Sequence, residues 1–176
     1  TKLIPTDPNR PKIAKGTGIE ASVQAMYGVP YGVEISVFFS PLDLPCKQPA
    51  WGYVAGVDLN THQVAWKRRI GTIRDSMSSI PLPPLKMGVP MLGGSISTAG
   101  NVMFIGATHD YYLRAINVTN GDELWKGRLP AGGQATPMTY EENGKQYVVI
   151  MAGGHASFGT KMGDSIMAYA LPDQKK

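Results

Sequence analysis

The sequence predicts an all-β fold assembled from short antiparallel strands, and three observations carry that prediction. The stretch Ala115-Ile-Asn-Val-Thr-Asn-Gly-Asp-Glu-Leu-Trp-Lys-Gly-Arg-Leu129 has a variant copy, Gly56-Val-Asp-Leu-Asn-Thr-His-Gln-Val-Ala-Trp-Lys-Arg-Arg-Ile70, lying 59 residues upstream. The 21 Gly and 14 Pro among 176 residues favour many tight turns over helices. Asn120-Gly121 and Asn143-Gly144 each separate two strand-like runs, and both residues of such a pair tolerate the positive φ of a type I′ hairpin turn.

In both copies of the repeat a short apolar run carrying Asp58 or Asn117 leads into a polar turn. A second strand then presents Trp66 or Trp125 eight residues after that Asp or Asn. A third run, Ser165-Ile-Met-Ala-Tyr-Ala-Leu171, matches the first half of the motif and stops. This break, together with a start at Thr1 rather than Met, reads as the C-terminal portion of a longer chain.

Taken in order, residues 1–30 hold four prolines and no sustained period, which predicts an extended connection. Residues 31–70 read as a partial blade: a β-branched and aromatic strand over 31–39, a proline-rich loop to 49, and a hairpin with strands 52–59 and 63–70. Residues 71–92, with Pro81-Leu-Pro-Pro-Leu-Lys-Met87, are too long for a turn and read as an irregular excursion over one face. Strands near 94–98, 101–107, 111–118 and 122–128 make residues 93–130 one complete unit. Residues 131–172 make a last unit, with strands near 134–140, 145–152 and 165–171 and no fourth strand. The 101–107 and 146–152 runs are apolar on both faces, as inner strands of stacked sheets are. Four antiparallel strands per unit, repeated with a Trp in the outermost, describe β-propeller blades. A missing last strand fits a propeller closed by a strand from the other end of its chain. A full-length structure whose final blade completes itself locally would exclude that closure.

Composition removes several function classes. The net charge is +4, but the basic residues are scattered with no run of five, which argues against nucleic acid as a partner. A single Cys46 cannot pair within the chain, so cysteine usage leaves the compartment open. No apolar stretch approaches the roughly 20 residues of a membrane span, and residue 1 opens no signal peptide, so any anchor is expected upstream.

Residues 115–125 resemble the tryptophan-docking motif of the eight-bladed quinoprotein dehydrogenases, which bind pyrroloquinoline quinone. Downstream, Gly132-Gly-Gln-Ala-Thr-Pro-Met-Thr-Tyr140, Gly144-Lys-Gln-Tyr-Val-Val149 and Gly153-Gly-His-Ala-Ser-Phe-Gly-Thr-Lys-Met-Gly-Asp164 resemble the C-terminal blades of the membrane-bound quinoprotein glucose dehydrogenases. Met91-Leu-Gly-Gly94 and Pro45-Cys46 followed by Trp51-Gly-Tyr53 fit the same pattern, and His62 departs from it by standing where the turn glycine belongs. The resemblance implies oxidation of the C1 hydroxyl of an aldose, D-glucose to its lactone. Two electrons would pass through the quinone to ubiquinone at the periplasmic face of the bacterial inner membrane. It also implies a bound Ca²⁺ or Mg²⁺ with ligands mostly outside this stretch, and partners in the remaining blades. Quinate and other polyol dehydrogenases share these blades and remain alternatives.

Within that frame Trp66, Trp125, Asp58 and Asn117 are expected to be docking and turn residues, since an indole wedged between blades buries a large apolar area. His155, following Gly153-Gly154 after an apolar inner strand, is the leading candidate to contact the cofactor. Gly154, Asp110 and Lys161 are further candidates, and each has a plainer role: a tight turn, a turn aspartate capping N–H groups, a solvated loop lysine. Lys161 lacks the glycine spacing of a phosphate loop. No His and carboxylate cluster has metal-ligand spacing, and the resemblance places the catalytic base and the quinone-facing lysine in earlier blades. A non-catalytic propeller scaffold of the outer-membrane assembly type is the alternative from another class. A β-sandwich lectin is disfavoured by the repeat.

Overall fold

The computed structural model describes residues 2–5, 22–26, 28–35, 38, 40–41, 44–75 and 83–172. Their strands are β1 (Lys2–Pro5), β2 (Ser22–Ala25), β3 (Tyr31–Ile35), β4 (Tyr53–Asp58), β5 (Gln63–Arg69), β6 (Ser95–Ser97), β7 (Val102–Ile105), β8 (Tyr112–Asn117), β9 (Glu123–Arg128), β10 (Met138–Glu142), β11 (Lys145–Ala152) and β12 (Ser165–Ala170). Two single 3-10 turns, at Ile73–Asp75 and Ala156–Phe158, are the only helical segments among the described residues.

All pairings are antiparallel. They give a four-stranded sheet β6-β7-β8-β9, a three-stranded sheet β10-β11-β12, a hairpin β4-β5 and a three-stranded sheet β1-β3-β2. The last of these adds strand pairing at both ends of the stretch 1–30, which the sequence predicts as an extended connection. Residues 2–5 and 22–25 are too short to show a period, but β3 is long enough to hold one on each edge. The strand expected to run on to Phe39 ends at Ile35 among the described residues, and 6–21, Phe39 and 76–82 lie outside them.

The repeat extends to a feature that residue spacing does not reveal. In β4-β5 the register slips between Gly56 and Val57, opposite Trp66. In β8-β9 it slips at the matching place, between Ala115 and Ile116, opposite Trp125. A bulge of this kind bends its strand and re-aims a side chain. Here it lays each indole back over its own sheet, Trp66 across Gly56 and Trp125 across Gly127, where any β-carbon would collide with the ring.

The sheet β6–β9 is packed on both faces. Along β7 and β8 alternate side chains point to opposite sides, as the pleat requires. Ile105, Ile116 and Met103 meet Trp66, Ile70 and Val54 of the first hairpin. Leu113 and Phe104 meet Leu129, Val148, Ile150 and Met167 toward the last sheet. The far face of that last sheet carries Met138, Tyr140, Met151 and Ile166, all exposed.

Trp66 fastens the first contact. It is 9% exposed, its Nε1–H donates to the Val118 carbonyl at 2.7 Å, and its ring covers Gly121. Asp58 accepts the N–H groups of Asn60 and Thr61, and Asn117 accepts that of Thr119 and a side-chain bond from Asn101, so both are turn residues of the two copies. Trp125 sits edge-on to Tyr169 with ring centroids 5.0 Å apart and is 41% exposed. The two docking positions therefore differ: within this chain Trp66 has a complete seat and Trp125 does not. His62 adopts φ 56 and Gly121 φ 75, so the histidine accepts the left-handed turn the glycine takes. Gly121 cannot be so exchanged, because Trp66 and Arg68 lie against it.

Candidate functional site

Two loops meet at the boundary between the β6–β9 and β10–β12 sheets. One joins β7 to β8 and carries Thr108, His109, Asp110 and Tyr111. The other joins β11 to β12 and carries His155 and Lys161. Tyr111 takes φ 55, a strained conformation for a bulky side chain, and its hydroxyl accepts the Lys161 N–H at 3.0 Å. The His109 ring stands edge-on to Phe158, centroids 5.3 Å apart. The candidates from the two loops are thus brought together.

Asp110 is fully buried, and every lone pair that geometry allows is taken by protein. Its Oδ1 accepts from the Thr108 hydroxyl at 2.6 Å and from Arg114 Nη1 at 2.9 Å. Its Oδ2 accepts from Arg114 Nη2 at 2.5 Å and from the N–H and hydroxyl of Thr72 at 2.7 and 3.1 Å. Burial works to raise its carboxyl pKa, but the Arg114 bonds and charge, the Thr108 hydroxyl and the Thr72 N–H outweigh it and hold the group below the usual carboxylate value. Asp110 therefore ties residue 72 to the β7-β8 loop. Next to it Arg128 forks onto Asp75 with two 2.6 Å bonds and donates to the Asp110 carbonyl at 2.9 Å.

Arg114 escaped sequence reasoning, although a signal was present. A cation in the middle of an apolar inner strand, four residues after an aspartate, requires a buried partner. Arg114 is 1% exposed and also bonds Glu123 at 3.0 Å.

His155 lies in extended backbone at the head of the 156–158 turn, where its Nδ1 accepts the Phe158 N–H at 3.2 Å. This bond caps the turn and sets the orientation of the ring. Gly154 has φ 73, and a β-carbon there would run into the Lys161 carbonyl. Its smallness serves the closure of the loop upon itself, which is a different reason for glycine than close approach to a ligand. The Lys161 main chain is engaged on both sides, its N–H by Tyr111 and its carbonyl by the Gly132 N–H at 3.0 Å, while its side chain is exposed.

His109 is the other residue the sequence left unweighed. It is 6% exposed, and its Nδ1 has no hydrogen-bond partner among the described residues. Burial pushes its pKa below the ordinary imidazole value, against the raising effects of a bond to the Phe158 backbone and the charges of Asp110 and Asp75. Folding therefore favours neutral His109. The resulting stability is complete above the ordinary imidazole pKa of about 6.5 and is lost as the pH falls through the lowered folded value. Denaturation midpoints of the full-length protein are expected to fall between about pH 7.5 and pH 5.5, and His109→Gln to flatten that slope. An identical slope in the variant would remove His109 from the account. No group of three His, Cys, Asp or Glu side chains suited to a metal ion occurs among the described residues. No helix among them is long and apolar enough to cross a membrane.

Stacked antiparallel blades locked by an outer-strand tryptophan define a β-propeller. Residues 1–148 match the family described as PQQ: glucose/ethanol/alcohol dehydrogenase, beta-propeller domain. The chain belongs to this family of quinoprotein dehydrogenases. It is 76% identical over 176 residues to quinoprotein glucose dehydrogenase A of Acinetobacter calcoaceticus, covering 99% of this chain and 22% of that protein. It is 66% identical over 185 residues to quinoprotein glucose dehydrogenase of Escherichia coli K12, covering all of this chain and 23% of that one. A solved europium-containing methanol dehydrogenase shares the fold, with TM-score 0.56 at 19% identity over 85% of this chain and 28% of that structure. The chain thus spans less than a quarter of the length of the curated relatives it matches.

Proposed function

We propose that this chain is the blade-boundary portion of a pyrroloquinoline-quinone-dependent aldose dehydrogenase acting on D-glucose. The observation that carries the proposal is identity at 76%, along 99% of the chain, to a protein named quinoprotein glucose dehydrogenase A, with the two polar loops joined by direct bonds at one blade boundary. The cofactor is a flat anion with three carboxylates and a quinone, and the chemistry it supplies when bound is acceptance of two electrons from the C1 hydroxyl.

The residues present fit such a group. His109 keeps a buried ring nitrogen without a partner among the described residues, directly beside the His155 loop, and the Lys161 side chain adds an exposed cation there. His155 and Lys161 are the residues of this chain that would hold the cofactor, with Gly154 closing the loop that carries them. Asp110 acts by fixing the loop beside them, since its own oxygens are occupied. The general base, the ligands of a Ca²⁺ or Mg²⁺ ion and the membrane anchor belong to chain outside these residues. The same reading places the protein at the periplasmic face of the inner membrane, passing electrons to ubiquinone.

The test is reconstitution of the full-length protein with pyrroloquinoline quinone and a divalent ion, followed by dye reduction with glucose and, separately, quinate. Turnover of glucose is expected. Turnover of quinate alone would transfer the assignment to the quinate dehydrogenases, and no cofactor uptake would end the dehydrogenase reading. In the same protein His155→Asn is expected to weaken cofactor affinity or raise KM about tenfold. Its fold should survive, because asparagine also caps the 156–158 turn. Unchanged titration and kinetics would make His155 a solvated loop residue.

A further inference from the structure

A buried polar bridge connects the two loops, and neither of its central residues was singled out by the sequence. The Thr160 hydroxyl accepts the His155 N–H at 2.8 Å and donates to Gln134 Oε1 at 2.9 Å. The Gln134 amide reaches the Thr108 carbonyl at 3.4 Å, and the Thr108 hydroxyl is bonded to Asp110 and Arg114 at 2.6 and 2.7 Å. Gln134 is 9% exposed and Thr160 4%. The bridge passes over Gly132, where a β-carbon would strike both Gln134 Oε1 and Thr160 Oγ1, so the backbone leaves room for this one bond. Gly132 also bonds the far loop twice, through its N–H to the Lys161 carbonyl and its carbonyl from the Gly154 N–H.

We propose that Gln134 and Thr160 are positioning residues of the candidate site, setting the distance between the His155 loop and the Asp110 loop across the boundary of two blades. The physical case is that of a fully satisfied buried network. Each member is desolvated and has its partner, so the arrangement has one low-energy geometry, and loss of a member leaves another polar group unpaired. Thr160 holds the backbone of His155 itself, while the ring of that residue is set separately by its bond to Phe158. The loop can therefore shift as a unit if the hydroxyl is lost. A shift of about 1 Å at a site that grips a rigid, flat ligand costs binding and rate well beyond the bond removed. The proposal rests on the cofactor reading given above.

Thr160→Val keeps the shape and removes the hydroxyl, and Thr160→Ser keeps the hydroxyl. In the full-length apoprotein, titrated with pyrroloquinoline quinone and followed by absorbance, the valine variant is expected to bind about tenfold more weakly and the serine variant within about twofold of wild type. Amide exchange over 153–163, measured without cofactor, should rise in the valine variant only. Should the valine variant fail to fold, Gln134→Glu replaces it. That change leaves Thr160 an acceptor but replaces the donor to Thr108 with a carboxylate oxygen set against that carbonyl, and weaker binding is again expected. Wild-type affinity in the variant that folds, or equal losses for valine and serine, would overturn the proposal. Wild-type protein that takes up no cofactor would instead overturn the functional reading.

Discussion

Arg114→Met is expected to destabilise the full-length protein by about 3–5 kcal/mol, the range for breaking a buried ion pair from one side. The guanidinium is 1% exposed, and its removal strands Asp110, whose side chain is wholly buried, with only hydroxyl and amide donors. It also releases Glu123 from its 3.0 Å bond. Asp110 would lose most of what holds its pKa down, with burial left to push it up. A lowered carboxyl pKa stabilises the fold above its unfolded value, and that stability disappears as the pH falls through the folded one. In the variant that acid-side loss should shrink or reverse, because a carboxyl pushed up by burial is protonated more readily in the fold, so the destabilisation should be smaller at acid than at neutral pH. The paired change Asp110→Leu with Arg114→Met is expected to recover part of the loss, because no fully buried unpaired charge remains. Urea denaturation of wild type and the two variants measures this, and a loss below about 1 kcal/mol in the single variant would show the network to be expendable.

The second large effect belongs to Trp66. Trp66→Ala should cost about 3–5 kcal/mol, because it empties the seat between the first hairpin and the β6–β9 sheet. Ile70, Ile105 and Ile116 then face a cavity, and the Val118 carbonyl loses its donor. Trp66→Phe keeps most of the apolar contact and should cost roughly half as much or less. All these partners lie within the chain, so the effect reports docking of one blade on the next. Equal midpoints for Trp66→Ala and wild type would mean that the hairpin is held by its neighbours alone.

Much of the fold was legible in the residues because propeller blades are local objects. The strands of the β6–β9 sheet follow one another along the chain, joined by short turns such as Asn120-Gly121, and the period of two sends Leu113 one way and Ile116 the other. The 59-residue repeat then fixes which tryptophan locks which unit. The strands β1 and β2 were not legible, since four-residue segments among prolines carry no period and pair with β3 only in three dimensions.

The candidate site divides differently. His155 announces itself by its glycines, because glycine marks backbone under a special demand. Asp110 is visible as a residue, but its role is not: whether a carboxylate faces a ligand or an arginine is decided by which side chain the next strand places beneath it. Here that is Arg114, across a single turn, together with Thr72 from 38 residues away. Gln134 and Thr160 have no local signature, since a buried amide and hydroxyl read as loop residues until the chain folds back to pair them across a separation of 26 positions. Local periodicity and repeat spacing thus settle the architecture, because strand pairing and turn chemistry act over a few residues. The partners of buried polar groups come from distant chain, and only the packed blades decide them, because burial is what makes each such group demand a partner.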